Sequence, residues 1–283
     1  MVIRGILYKT PMKVRSCCYD CLRKLAEKTV SLSGGNSELI SACYRTIDEC
    51  WDKKNTPAFI ANKLLASIRE VTGVYDPYAS IKSQEFVKAK KTKELLRMKL
   101  PQSLEEVLKI SALGNTVDFF TSIAYDADDF MFFCNMEKVE EEIHNKGNDV
   151  LILGDNIGDF LFDIDLIEYL HRRGKRVLYA VKEHPVQNDL SLLDVERFAL
   201  TKYFHNIIST GTREVGIRKE EMKGIIKELW ESNTIVIVKG MGNFETLSEF
   251  SHERRVIYIM KIKCPAVADT LQIPLGAYNV TLS

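Results

Sequence analysis

Six short apolar runs recur through the second half of this 283-residue chain, and their spacing constrains the fold more than any other feature. They are DDFMFFC (128–134), VLIL (150–153), VLYAV (177–181), NIIS (206–209), TIVIV (234–238) and VIYIMK (256–261). Helical patterns such as IGDFLFDIDLIEYLHRRG, NDLSLLDVERFAL and RKEEMKGIIKELWES lie between them. Strands buried on both faces read as continuous apolar runs, and helices between them are the mark of βαβ units. The pattern predicts an α/β fold: a Rossmann-like, mainly parallel sheet with helices on both faces.

The first half reads differently. From Lys13 to about Leu113, apolar residues recur at intervals of three and four, the period of amphipathic helices. The stops are legible as SGGN at 33–36, Thr56-Pro57 at a helix start, Gly73 after a helix end, and Pro101. Ser103 and Glu106 have the spacing of a capping box. The expectation is a helical N-terminal domain over residues 1–120 and a Rossmann-like α/β domain over 121–283.

Charge narrows the function classes. The 39 basic and 39 acidic side chains cancel, so no global field draws nucleic acid or an anionic membrane surface. No apolar run reaches the ~18–20 residues of a membrane helix, and no secretory apolar segment is present near Met1, so the expected location is the cytoplasm. Seven cysteines, an odd number spread along the chain, argue against a disulfide scaffold. Cys18 and Cys21 have Cys-x-x-Cys spacing, but no second close pair accompanies them. They read either as small apolar residues on a helix face or as a metal or redox pair. His144, His171, His184, His205 and His252 lack zinc-ligand spacing, no Gly-x-Ser-x-Gly elbow occurs, and Cys264 has no evident histidine partner.

In doubly wound sheets ligands sit beyond the carboxyl ends of the strands. There the chain carries Gly154-Asp155-Asn156, then Lys182 and Asn188-Asp189, then Ser209-Thr210-Gly211-Thr212, then Lys239-Gly240-Met241-Gly242-Asn243. GDNIGD lacks the middle glycine of a dinucleotide fingerprint, because Asn156 stands in its place. Asp155, Asn156 and Asp189 offer oxygen donors suited to a hard divalent cation, while Asp155 or Asn156 also suits a helix cap. Asp159 and Asp163, four apart on the following helix, face the same region or serve as first-turn acids. Lys239 with Gly240 and Gly242 suits phosphate oxygens; Ser209, Thr210 and Gly211 could do the same or form a plain turn.

Taken in order, GDNIGD with Asp163, HPVQND, ISTGT, VKGMGNFE and KIKCP resemble the damage-control phosphatase family, long catalogued as a domain of unknown function. CYDC, DPY at 76–78 and GNTVDF at 114–119 resemble its cysteine-containing prokaryotic and archaeal subfamily. The resemblance implies a divalent-metal-dependent phosphomonoesterase acting on small phosphorylated metabolites, with Mg²⁺, Mn²⁺, Co²⁺ or Ni²⁺ as cofactor. It assigns the metal to Asp155, Asn156 and Asp189. It places Lys239 on the phosphate side beside Gly242 and Asn243, and Gly114, Asn115 and Asp118 on the substrate side. The family usually has Glu where this chain has Asp159, which reaches ~1.5 Å less far. Asp189 or Asp159 would orient the attacking water. The rival readings are an adenosylmethionine-dependent methyltransferase and a metal- or nucleotide-binding module without turnover.

Overall fold

Helix boundaries fall where the capping chemistry puts them. The computed structural model describes residues 12–96, 103–115 and 131–283. α1 (Ser16–Leu32) and α2 (Ser37–Glu49) are separated by the SGGN turn, and the Asn36 side chain caps α2 by accepting from the Leu39 amide. Thr56 caps α3 (Pro57–Thr72), whose first residue is proline and whose end is Gly73 at φ 67°. Glycine is required there, since the left-handed region is strained for a residue with a Cβ. α4 (Ala79–Leu96) follows, and Ser103 and Glu106 complete the expected capping box of α5 (Leu104–Gly114).

The sheet is built from β1 (Phe132–Cys134), β2 (Asp149–Leu153), β3 (Arg176–Val181), β4 (Ile207–Ser209), β5 (Ile235–Lys239), β6 (Ile257–Lys261) and β7 (Tyr278–Leu282). Its order is β1-β7-β6-β5-β2-β3-β4, parallel throughout except where β7 runs antiparallel to β6. The six apolar runs supply six of these strands. β7 comes from the C-terminal AYNVTLS, which reads as an ordinary tail until β1 and β6 enclose it.

Alternation along the strands separates two apolar layers. Val150 and Ile152 of β2, and Ile235 and Ile237 of β5, join one layer; Leu151, Leu153, Val236 and Val238 join the other. The first is covered by α4, α5, α6 (Met136–Asn145), α7 (Ile157–Arg172) and α8 (Leu192–Arg197). α9 (Gly224–Glu231), α10 (Met241–Leu247) and α11 (Pro265–Leu271) cover the second. Each fully buried Ile, Leu or Val in these layers contributes roughly 1.5–3 kcal/mol. α1 to α3 gather around a smaller cluster of their own, including Leu22, Ile47, Ile60 and Leu64. Ala89 of α4 and Leu104, Val107 and Leu108 of α5 instead lie in the sheet's core. The change of composition near residue 120 therefore does not coincide with a change of core. Among the described residues, no helix is long and apolar enough to cross a membrane.

β2 pairs with β3 on one side and β5 on the other, so the winding direction reverses at β2. Leu153 stands opposite Ala180 and Val238, and the segments that follow these strands meet over this switch point. A crevice at such a point is the usual ligand position in this architecture.

Candidate active site

Gly154 extends β2 by donating its amide to the Ala180 carbonyl at 2.9 Å. It must lack a side chain, because a Cβ there would lie 2.5 Å from the Tyr179 ring. Asn156 then caps α7, its Oδ1 accepting from the Asp159 amide at 3.1 Å. The loop after β3 reaches back to this corner. Asn156 and Asp189 form an antiparallel bridge, and the Leu190 amide donates to the Asp155 carbonyl at 2.7 Å. The backbone thus joins the two segments whose side chains were expected to share a cation.

Asp155 follows β2 at the switch point and is half-buried. Asn115, at the end of α5, donates through Nδ2 to Asp155 Oδ2 at 2.9 Å and to Asp159 Oδ2 at 2.8 Å. The Lys261 amide fixes that carboxamide by donating to its Oδ1 at 3.1 Å. Gly240, at φ 76°, lies against the same carboxylate, and a Cβ on it would fall 2.1 Å from Asp155 Oδ2. Burial first, then the charges of Asp189 and Asp159, push the Asp155 carboxyl well above its ordinary range. Asp189 is 6% exposed and pushed up to about 6 by burial, against the opposing pull of Lys182 and Lys82. Its Oδ2 lies 3.7 Å from Lys182 Nζ. A cation placed between Asp155 and Asp189 would oppose the burial that raises both and the repulsion from Asp189 that adds to it at Asp155.

The donor set can be tested for such an ion. Among the described residues, no group of three His, Cys, Asp or Glu side chains is arranged to hold one by itself. The set on offer is two carboxylates and one amide. Neither Asp155 Oδ1 nor Asp189 Oδ1 accepts a hydrogen bond from a described residue, and Asn156 Oδ1 retains a second lone pair beyond its helix cap. Oxygen donors of this kind, with room left for water and phosphate, fit Mg²⁺ or Mn²⁺.

Other residues expected at the site have different tasks. Lys239 is fully buried, and its ammonium is surrounded by the Ser111 carbonyl at 2.7 Å, Ser111 Oγ at 2.7 Å, Asp163 at 2.8 Å and Asp159 at 3.1 Å. Burial pulls its pKa down, but the two aspartates outweigh that and hold it above its usual value, keeping the ammonium charged. All three N–H bonds are spent below the crevice, so Lys239 organises the floor and has none left for phosphate. Asp159, with neighbours Asn115 and Lys239, belongs to that floor too. The Gly240 amide pairs with the Ile259 carbonyl, and Gly242 packs against Val215, so the expected glycine amides are not both turned to a ligand. Asn243 Nδ2 ties the Gly154 carbonyl to the Lys239 carbonyl, at 3.1 and 2.9 Å. Ser209 donates to Glu183, Gly211 donates its amide to Ser209 Oγ, and the Thr210 hydroxyl meets that of Thr212. This stretch behaves as a turn next to the crevice. Asp118 lies outside the described residues. Cys18 is buried, its Sγ accepts from the Arg15 amide, and its thiol is pushed up to about 12 chiefly by burial, while Cys21 is exposed.

Sequence reasoning placed Lys182 at a strand end without giving it a role, and passed over Ser111 and Tyr179. The clue for Lys182 is a lysine closing an apolar strand, buried beside Asp189 with its ammonium donating to the Gly216 carbonyl at 2.6 Å. Tyr179 donates to Asp163 Oδ2 at 2.9 Å, a pairing that only the fold reveals.

Residues 14–278 match the family described as the damage-control phosphatase ARMT1-like domain. A damage-control phosphatase of Pyrococcus horikoshii is 28% identical over 282 residues, covering 94% of this chain and 96% of that protein. One from Archaeoglobus fulgidus is 24% identical over 294 residues, covering 94% and 97%. The crystal structure of a DUF89 family protein from Pyrococcus horikoshii superimposes with a TM-score of 0.81 at 27% identity, covering 95% of this chain and 99% of that one. A match spanning nearly the whole chain, with the same fold beneath it, places this protein in the damage-control phosphatase ARMT1-like domain family.

Proposed function

We propose that the protein is a divalent-metal-dependent phosphomonoesterase acting on small phosphorylated metabolites, sugar phosphates or damaged phosphometabolites among them. Membership of a phosphatase family supports hydrolysis of a phosphate ester. The observation that carries the finer reading is the backbone bridge between Asn156 and Asp189. It brings Asp155, Asn156 and Asp189 together at the switch point of the sheet. These three residues would hold the cation, which when bound polarises a phosphoryl oxygen and lowers the pKa of a coordinated water.

The chain's own residues do the rest. Asn115 and Gly240 fix the Asp155 carboxylate in one orientation, which removes a reorganisation cost at the moment of reaction. Asp189 keeps one oxygen uncommitted and orients the attacking water, a task for which Asp159 is already too engaged by Asn115 and Lys239. Lys182 and Lys263, whose charges act on the Asp155 carboxylate or are acted on by it, supply positive field for the transferred phosphoryl group.

A panel of phosphate monoesters, assayed with Mg²⁺, Mn²⁺, Co²⁺ and Ni²⁺ on wild type and Asp155→Ala, tests this. Release of phosphate by wild type, lost in the variant, is expected; equal rates would place the chemistry elsewhere. Thermal stabilisation by adenosylmethionine, with no phosphate released, would favour the methyltransferase reading instead.

A further inference from the structure

Near the loop that carries Asp189, Arg213 and Arg69 lie together, and Arg213 has no carboxylate of its own among the described residues. Arg213, on the loop after β4, lays its guanidinium over the Tyr75 ring, 4.3 Å from the centroid. Its Nε and Nη2 are buried and have no hydrogen-bond partner. A guanidinium is always charged and offers five donors in a planar fork, so buried N–H groups without an acceptor are costly. Arg69 of α3 is near enough that Arg213, after burial, helps lower its pKa. The Tyr75 hydroxyl meets His184 Nδ1 at 3.0 Å. The carboxylates close by are committed: Asp76 to Lys82 and Arg197, Glu214 to Arg218, and Glu183 to Ser209.

The corner is rigid and concave. Asn62 of α3 clamps the Arg213 loop, accepting from the Val215 amide at 2.8 Å and donating to its carbonyl at 3.2 Å. The Glu183 amide donates to the Thr212 carbonyl at 2.8 Å, and Lys182 Nζ holds Gly216. A cleft lined by Arg69, Tyr75, Asp76, Pro185, Val186 and Gln187 opens here, with the Asp76 charge facing Lys82 and Arg197. Gln187, at φ 43°, stands two residues before Asp189, so the cleft adjoins the loop that carries that carboxylate.

We infer that Arg213 and Arg69, beside Tyr75, form a second anion subsite. It takes the non-reacting phosphate or carboxylate of a doubly anionic phosphate ester, whose other phosphate lies at Asp155 and Asp189. This rests on the phosphatase reading and names the substrate class within it. An anionic oxygen would supply the acceptor that the Arg213 fork lacks, and a bidentate pair of this kind is strong and geometrically selective.

The test compares fructose 1,6-bisphosphate with fructose 6-phosphate, with Mn²⁺ present, on wild type, Arg213→Met and Arg69→Met. Methionine keeps an apolar stem over Tyr75, and the monophosphate reaction reports that each variant is folded. The expected result is a ~10- to 100-fold loss of kcat/KM for the bisphosphate, the range of one charged hydrogen bond, with the monophosphate within about twofold. Calorimetric binding of the bisphosphate should weaken by a similar factor. Equal losses on both esters, or no loss on either with unchanged bisphosphate binding, would overturn the subsite. If wild type hydrolyses neither ester, the phosphatase reading fails. The calorimetry then decides the subsite alone: weaker binding in Arg213→Met supports it and unchanged binding overturns it.

Discussion

Gly240 has no side chain because the Asp155 carboxylate already occupies the place where one would go. Gly240→Ala would force a Cβ to within 2.1 Å of Asp155 Oδ2 at a backbone φ of 76°. We expect a loss of about 2–4 kcal/mol in chemical denaturation, with phosphate release abolished, since strain and clash act on the same oxygen. Asp155→Asn should separate stability from activity. It removes a charge that burial, Asp189 and Asp159 all disfavour, so the metal-free protein should melt a few degrees higher at pH 8 while releasing no phosphate. A melting temperature that falls would show that Asp155 is a structural carboxylate. Lys239→Met leaves Asp159 and Asp163 buried without their ammonium. It should cost about 3–5 kcal/mol, measured by urea unfolding, because no other cation among the described residues pairs with either carboxylate.

Among the elements, α10 couples the crevice to the helical bundle. Glu245 of α10 accepts a backbone hydrogen bond from Ala58 in the first turn of α3, and burial pushes its carboxyl from 4.5 to about 8. A folded pKa above the unfolded value means that the folded state holds the proton more tightly. That stability is complete below about 4.5 and is lost as pH rises through about 8. Asp189 acts in the same direction in a lower window, from 3.8 to about 6. The melting temperature of the metal-free protein should therefore fall between about pH 4 and pH 8, and Glu245→Gln should flatten the upper part of that slope. Element boundaries of this kind were legible where the cause is local. Ser103 with Glu106, Thr56 before Pro57, and Gly73 each announce a helix end within a few residues. β7 was not legible, because its strand character comes from pairing with β1 on one edge and β6 on the other, partners more than a hundred and about twenty residues away in sequence.

For the molecule as a whole, the sheet and its two apolar layers follow from the continuous apolar runs, and Asp155, Asn156 and Asp189 meet because those runs wind outward from β2. What sequence spacing does not contain is which strand-end lysine points up and which points down. Lys239 and Lys182 both close apolar strands, yet one is locked beneath the crevice by Asp159 and Asp163 and the other lies beside Asp189. Nor does composition disclose that α4 and α5 complete the sheet's core rather than the bundle's. A fragment beginning at residue 121 lacks Ala89, Leu104, Val107 and Leu108, and circular dichroism should show it unfolded or molten. The most direct test of the central claim is a titration of metal-stripped protein with Mn²⁺, following phosphate release from a sugar monophosphate. The account predicts no release without the ion, activity that saturates at one ion per chain, and no response in Asp155→Asn. Undiminished phosphate release by the stripped protein would contradict it.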